Sequence, residues 1–123
     1  GDGIITTYLT DDDCRTLRQL GGEALAKHGR SLPNFPICVY TTVRIGKDIA
    51  KAEADTQKFL QEYYGGGVNY RGLMGLGPAA KVVETLKLYE AAGITDLCVR
   101  FAGTDQVAQL EQFIRDVAPA FGQ

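Results

Sequence analysis

The run Ile37–Ile45 (ICVYTTVRI) constrains this chain more than any other segment. Every residue in it except Arg44 is apolar, aromatic or β-branched. The run is short for a helix and too continuous for a half-solvated strand, so it predicts a strand covered on both faces. Two further runs have the same character, Gly3–Leu9 (GIITTYL) and Thr95–Phe101 (TDLCVRF).

Helical periodicity fills the intervals between these runs. After the first strand, Thr10 offers an N-cap hydroxyl and Asp11, Asp12 and Asp13 place negative charge on a helix start. Cys14, Leu17, Leu20, Ala24 and Leu25 then form a stripe, and Lys27-His28-Gly29 reads as a helix stop. Gly21-Gly22 costs this helix about 1 kcal/mol per glycine relative to alanine, which close packing against a neighbour would explain. A second helix is expected over about Lys47–Tyr64, with the stripe Ile49, Ala52, Thr56, Phe59, Leu60 and Tyr63. The glycine-rich segment Gly65–Gly77 follows, and Pro78 opens a third helix with Val82, Val83, Leu86 and Tyr89 inward and Gly93 at its end. Gly103-Thr104-Asp105 is read as the cap of a last helix whose stripe is Val107, Leu110, Ile114 and Val117.

Strands that alternate with helical crossovers are parallel strands, so the expected class is α/β. Three such βα units make a poor free-standing sheet, because both faces need cover and both edges expose unpaired backbone groups. A closed (β/α)₈ barrel takes about 250 residues, and this chain has 123. The pattern therefore leaves two readings open: a partial barrel treated as one segment over residues 1–123, or a small complete α/β domain with one extra strand in the glycine-rich segment. The first carries the expectation of self-association through exposed strand edges, hence a homo-oligomer.

Composition excludes several function classes. Apolar residues make up 45% and charged residues 23%, which predicts a packed core rather than disorder. A formal net charge of −2 with scattered basic residues predicts no nucleic-acid surface. No apolar stretch approaches the roughly 18–20 residues of a membrane span, and no basic-plus-apolar leader opens the sequence. The expected compartment is the cytoplasm. Cys14, Cys38 and Cys98 are odd in number and widely spaced, so they are expected as small buried hydrophobes rather than disulfide or metal ligands.

The ordered motifs resemble the luciferase-like family of flavin monooxygenases and deazaflavin-dependent reductases. Gly1-Asp2-Gly3-Ile4-Ile5 is similar to the "A-D-G-W/I-I" opening of a late barrel strand in that family. ICVYTTVRIGKDIAKAEADTQKFL is similar to the next strand–helix unit. Met74 to Glu84 resembles "GTPEEVAERL", and Tyr89-Glu90-Ala91-Ala92-Gly93-Ile94 resembles "YVDAGV". Leu97-Cys98-Val99-Arg100-Phe101 resembles "HLVLRF", and the last helix through Pro119 resembles "QLERFAEEVLP". The resemblance runs over essentially the whole chain, and the order of the motifs carries it rather than any one of them. It implies the C-terminal part of a (β/α)₈ TIM barrel, roughly its sixth to eighth strands. It also implies an intact oxidoreductase that uses FMN or a deazaflavin coenzyme on a small-molecule substrate. The family's glycine-rich phosphate-binding stretch is absent from this sequence, so the segment alone is expected to bind no flavin and to be inactive.

Barrel enzymes build their sites at the C-terminal ends of strands. Here those points are Tyr8–Thr10, Thr41–Ile45 and Arg100–Thr104. Arg100, near the end of a buried strand, must find an anion or an acidic partner. It is either a contact to a cofactor phosphate or anionic substrate, or half of a salt bridge with Asp2, Asp96 or a neighbouring acid. Tyr8 either lines the pocket or is a core tyrosine, and Thr41 and Thr42 either donate hydroxyls or simply favour a strand. The segment Gly65–Gly77 lacks the Gly-Lys-Ser/Thr of a P-loop and is read as a lid or connector. His28 is assigned to the helix dipole and Asp11–Asp13 to capping, with no metal. No nucleophile–base pair is visible, so a non-catalytic binding domain stands as the alternative to an enzyme part.

Overall fold

The computed structural model describes residues 1–66 and 72–122. In chain order the elements are β1 (Ile4–Thr7), α1 (Asp11–Ala26), β2 (Ile37–Ile45), α2 (Ile49–Tyr64), β3 (Gly75–Gly77), α3 (Ala79–Ala91), β4 (Asp96–Phe101) and α4 (Gln106–Asp116). Every strand pairing is parallel, as the alternation of strands and helices requires. β2 is central. Its first half pairs with β1, from Ile4↔Ile37 to Thr7↔Tyr40, and its last residues pair with β3, from Val43↔Gly75 to Ile45↔Gly77. β4 pairs along Cys38↔Asp96 to Val43↔Phe101. A strand has two edges, so β1 and β3 share one edge of β2 and β4 holds the other. The three-residue β3 is a strand that periodicity does not show, and it lengthens the β1 side rather than closing the sheet.

Alternation sorts the side chains of β2 onto two faces. Ile37, Val39, Val43 and Ile45 join Cys14 and Leu25 of α1, Val82, Leu86 and Tyr89 of α3, and Val117 in one core. The opposite face carries Cys38, Tyr40 and Thr42, beside Asp96, Cys98 and Arg100 of β4 and Ile5 and Thr7 of β1. Much of that face is open. Ile5 is 70% exposed, and Thr7, Asp96 and Cys98 are exposed. The expectation of strands covered on both faces therefore holds on the side of α1 and α3, and on the other side only at the C-terminal half, where Thr42 is buried. The exposure of Cys98 and the half-exposure of Cys38 also correct the expectation of three buried cysteines; only Cys14 is buried.

The helix stripes divide in the same way. Thr10 and Asp13 form a capping box, each side chain accepting from the other's backbone N–H at 3.1 and 3.0 Å, so the first helix starts where its sequence says. Arg15 takes Asp11 and Asp12. In α3, Val82, Leu86 and Tyr89 are buried as expected. In α4, Val107 is 73%, Leu110 46% and Ile114 59% exposed, whereas Gln109 and Val117 are buried. The helix is rotated about its axis relative to the apolar stripe because Gln109 is drawn under the sheet. Leu20 of α1 and Ile49 and Tyr63 of α2 are likewise exposed rather than inward. Of the glycine pair, Gly22 meets Leu32 at 3.1 Å from where a Cβ would stand, and Gly21 meets nothing.

Candidate binding site at the C-terminal ends of the strands

Two arginines reach the C-terminal end of the sheet, and their surroundings differ in kind. Arg44, in β2, donates to Asp105 and to the Ala102 carbonyl at 3.1 Å, and it contacts Asp55 of α2 at 3.5 Å. Its charge is matched inside the fold. Arg44 holds the Asp105 carboxyl below its usual range, and Lys51 first and Arg44 second do the same for Asp55. Asp105 sits at the N-cap of α4 but makes no side-chain cap bond, so the capping role expected of it gives way to the ion pair with Arg44.

Arg100, in β4, has no such partner. The expected alternatives are taken elsewhere: Asp2 pairs with Arg30, and the Asp96 carboxylate accepts from Thr95 at 2.6 Å. Among the described residues no carboxylate pairs with Arg100. Its Nη1 donates to the Tyr64 hydroxyl at 2.8 Å, and its Nη2 donates to Thr42 Oγ1 at 3.0 Å and to the Tyr8 hydroxyl at 3.4 Å. The rings of Tyr40, Tyr64, Tyr63 and Phe59 stand with their centroids 5.1, 5.2, 5.3 and 5.4 Å from its Cζ, within cation–π range. The Nε is buried without a hydrogen-bond partner. The structural salt bridge proposed for Arg100 from sequence belongs instead to Arg44.

Each member of this cluster is placed by a local cause. Thr42 and Arg100 are register partners on adjacent strands, so their side chains share a face. Tyr8 leaves the end of β1 with φ +57°, a left-handed conformation a tyrosine rarely adopts. The turn is held from outside: the Leu9 carbonyl accepts from Leu73 N at 3.0 Å and lies 3.2 Å from the Tyr89 hydroxyl. Gly72, at φ +121°, lies so close that a Cβ there would meet the Tyr8 carbonyl carbon at 2.7 Å. Phe59, Tyr63 and Tyr64 come from the last turns of α2, on or beside the stripe that buries Ala52, Thr56 and Leu60. The reading of Tyr8 as a core tyrosine does not hold; it is half-buried and its hydroxyl faces Arg100. Thr41 points to the helix side and donates to the Leu73 carbonyl at 2.8 Å, so only Thr42 of the threonine pair reaches the site.

The electrostatics follow from the contacts. Burial raises the Tyr8 phenol, and a hydrogen bond to Tyr64 adds to it. The Tyr64 phenol is lowered, first by the hydrogen bond from Tyr8 and further by Arg100, against an opposing effect of burial. Among the described residues the arrangement is thus one fixed cation, a threonine hydroxyl and two linked phenols inside an aromatic wall. It can hold an oxyanion and orient it. Among the described residues no group of histidine, cysteine or carboxylate side chains is placed to hold a metal, and no helix is long and apolar enough to cross a membrane. Part of the glycine-rich segment read as a lid, residues 67–71, lies outside the described residues.

No family model and no curated protein matches the chain. Solved structures do. The coenzyme F420-dependent tetrahydromethanopterin reductase from Methanopyrus kandleri superposes with a TM-score of 0.77 at 21% identity, over 98% of this chain and 46% of that one. An F420-dependent secondary alcohol dehydrogenase, solved with an F420–acetone adduct, superposes with a TM-score of 0.78 at 14% identity, over 98% and 43%. This is the fold of part of a TIM barrel. The chain spans less than half the length of the structures it matches. In a barrel of this kind the face bearing Ile5, Tyr40 and Arg100, opposite α1 and α3, is the interior.

Proposed function

We propose that this chain is the closing part of a luciferase-like barrel, and that the intact protein is an oxidoreductase using a deazaflavin or flavin coenzyme on a small-molecule substrate. Both structural neighbours are F420-dependent, which favours the deazaflavin over FMN and a reductase or dehydrogenase over a monooxygenase. The observation that carries the reading is Arg100: a cation without a carboxylate partner among the described residues, on the inward barrel face, at the end of the strands where such barrels place their chemistry. The coenzyme supplies the hydride or oxygen chemistry when bound. Arg100 and Tyr8 bind and orient an anionic group of the coenzyme or substrate, and Thr42 and Tyr64 hold the guanidinium in place. This segment alone is inactive, because it spans less than half of the barrels it resembles and supplies only part of the site.

The alternative, a small complete interaction domain, expects an extra strand in the glycine-rich segment, and β3 is one. Among the described residues, however, β1 and β4 each pair with β2 alone, which supports a sheet that takes further strands. The test is to titrate deazaflavin coenzyme and FMN into the product of the longest reading frame containing this chain, with and without Arg100→Ala. Weaker coenzyme or substrate binding in the variant is expected. Unchanged affinity for both would remove Arg100 from the site.

A further inference from the structure

Arg15, Arg30, Arg44 and Arg115 each pair with a carboxylate, as do Lys51, Lys58, Lys81 and Lys87. Arg100 is half-buried and has no carboxylate among the described residues, and its Nε is buried without a partner. A partly desolvated charge held only by neutral hydroxyls and rings is electrostatically unfinished. We propose that Arg100, Thr42, Tyr8 and Tyr64 form an oxyanion site for an anionic oxygen carried on a flat conjugated ring, such as an aromatic carboxylate. The inference rests on the reading of this face as the site of the barrel, and it adds the chemistry of the ligand.

The shape of the site selects that class. Four aromatic rings surround the guanidinium at 5.1–5.4 Å, and Tyr64 meets Tyr8 edge-on at 6.3 Å and Tyr63 edge-on at 4.7 Å. A ligand that reaches the charge passes between rings, which favours a planar apolar body behind the anionic oxygen. A phosphate dianion calls for several N–H donors or a second cation. Among the described residues a single cation, Arg100, is backed by neutral hydroxyls. Tyr64 is the exposed member, so an incoming oxygen meets its hydroxyl with Arg100 directly behind.

The chain contains six tyrosines and no tryptophan, so its near-ultraviolet absorbance reports tyrosine. Titrating the purified chain with benzoate should give a saturable tyrosine difference spectrum, and acetate and inorganic phosphate should bind more weakly. Bound benzoate should also raise the pH at which the site phenols ionise, because an adjacent anion disfavours phenolate. Arg100→Met should abolish the response. Tyr64→Phe, which removes one exposed hydroxyl and leaves the circular dichroism unchanged, should weaken it roughly tenfold. No saturable response, an equal response to acetate, tighter binding of phosphate, or unweakened binding by Tyr64→Phe would overturn the assignment. The titration needs no coenzyme and so separates two failures. Benzoate binding without coenzyme binding by the longer product removes the oxidoreductase reading and leaves the site, and the reverse result removes only the ligand class.

Discussion

Gln109 of α4 clamps the last residue of β2: its Oε1 accepts from Ile45 N at 2.8 Å and its Nε2 donates to Ile45 O at 2.9 Å. The side chain is buried, and both backbone groups sit where the strand ladder ends. Replacing Gln109 with methionine keeps the volume but strands one donor and one acceptor. The expected loss is about 2–4 kcal/mol, read as a lower urea midpoint at unchanged slope.

Tyr89 performs a similar task on the site side. Its hydroxyl donates to the Leu73 carbonyl at 2.6 Å, which pins the loop behind Tyr8, and burial pushes its phenol up to about 12 from 10.0. A phenol raised on folding stabilises the fold fully below the unfolded value and loses that contribution as pH climbs through the folded one. Stability should therefore fall between pH 10 and 12, by about 2–3 kcal/mol from this group. Cys14, raised by burial from 9.0 to about 11, adds its own loss from pH 9 upward. Tyr89→Phe should cost about 1 kcal/mol at neutral pH. Its alkaline unfolding profile should flatten above pH 11, where Cys14 no longer contributes.

The three thiols should react in order of access. Cys98 is exposed, Cys38 is half-buried with a raised pKa caused chiefly by burial, and Cys14 is fully buried. Alkylation followed by mass spectrometry should label Cys98 first, then Cys38, and Cys14 only when denaturant is added. Early labelling of Cys14 would mean that α1 opens locally under native conditions.

Val107, Leu110 and Ile114 form an exposed apolar stripe on α4, beside the edge of β4 that pairs with no described strand. Such a surface predicts association of the chain with itself. Val107→Glu with Ile114→Lys should lower the weight-average mass in sedimentation while changing stability by no more than about 0.5 kcal/mol per site. An unchanged mass would place the contact elsewhere.

The strands, their parallel sense and the helix order were legible because each rests on a local pattern: β-branched runs, the Thr10–Asp13 cap, the Val82/Leu86/Tyr89 stripe. The site was legible only in part. Arg100 announces itself as a charge in an apolar strand, and Tyr8 as a residue at a strand end. Their surroundings do not, because Phe59 and Tyr63 sit at core-like spacings in α2, and nothing in that spacing says that the stripe faces Arg100 rather than an apolar core. Gln109 was missed for a related reason. A buried amide follows no apolar period, and its role depends on where β2 ends, which α4 cannot encode locally. The one available signal was that a stripe of Val107, Leu110 and Ile114 leaves Gln109 with no reason to be exposed or buried. β3 was legible only as the extra strand of the complete-domain reading, because glycines carry no strand propensity, and Gly75 and Gly77 are there for closeness to Val82 and Ile49.

The central claim is that this segment holds one part of a coenzyme site and that the remaining barrel completes it. The direct measurement is the visible absorption spectrum after incubation with deazaflavin coenzyme or FMN and gel filtration, taken on this chain and on the product of the longest reading frame containing it. The account predicts a colourless chain and a coloured longer product. Stoichiometric coenzyme retained by the 123-residue chain alone, or none retained by the longer product, would contradict it.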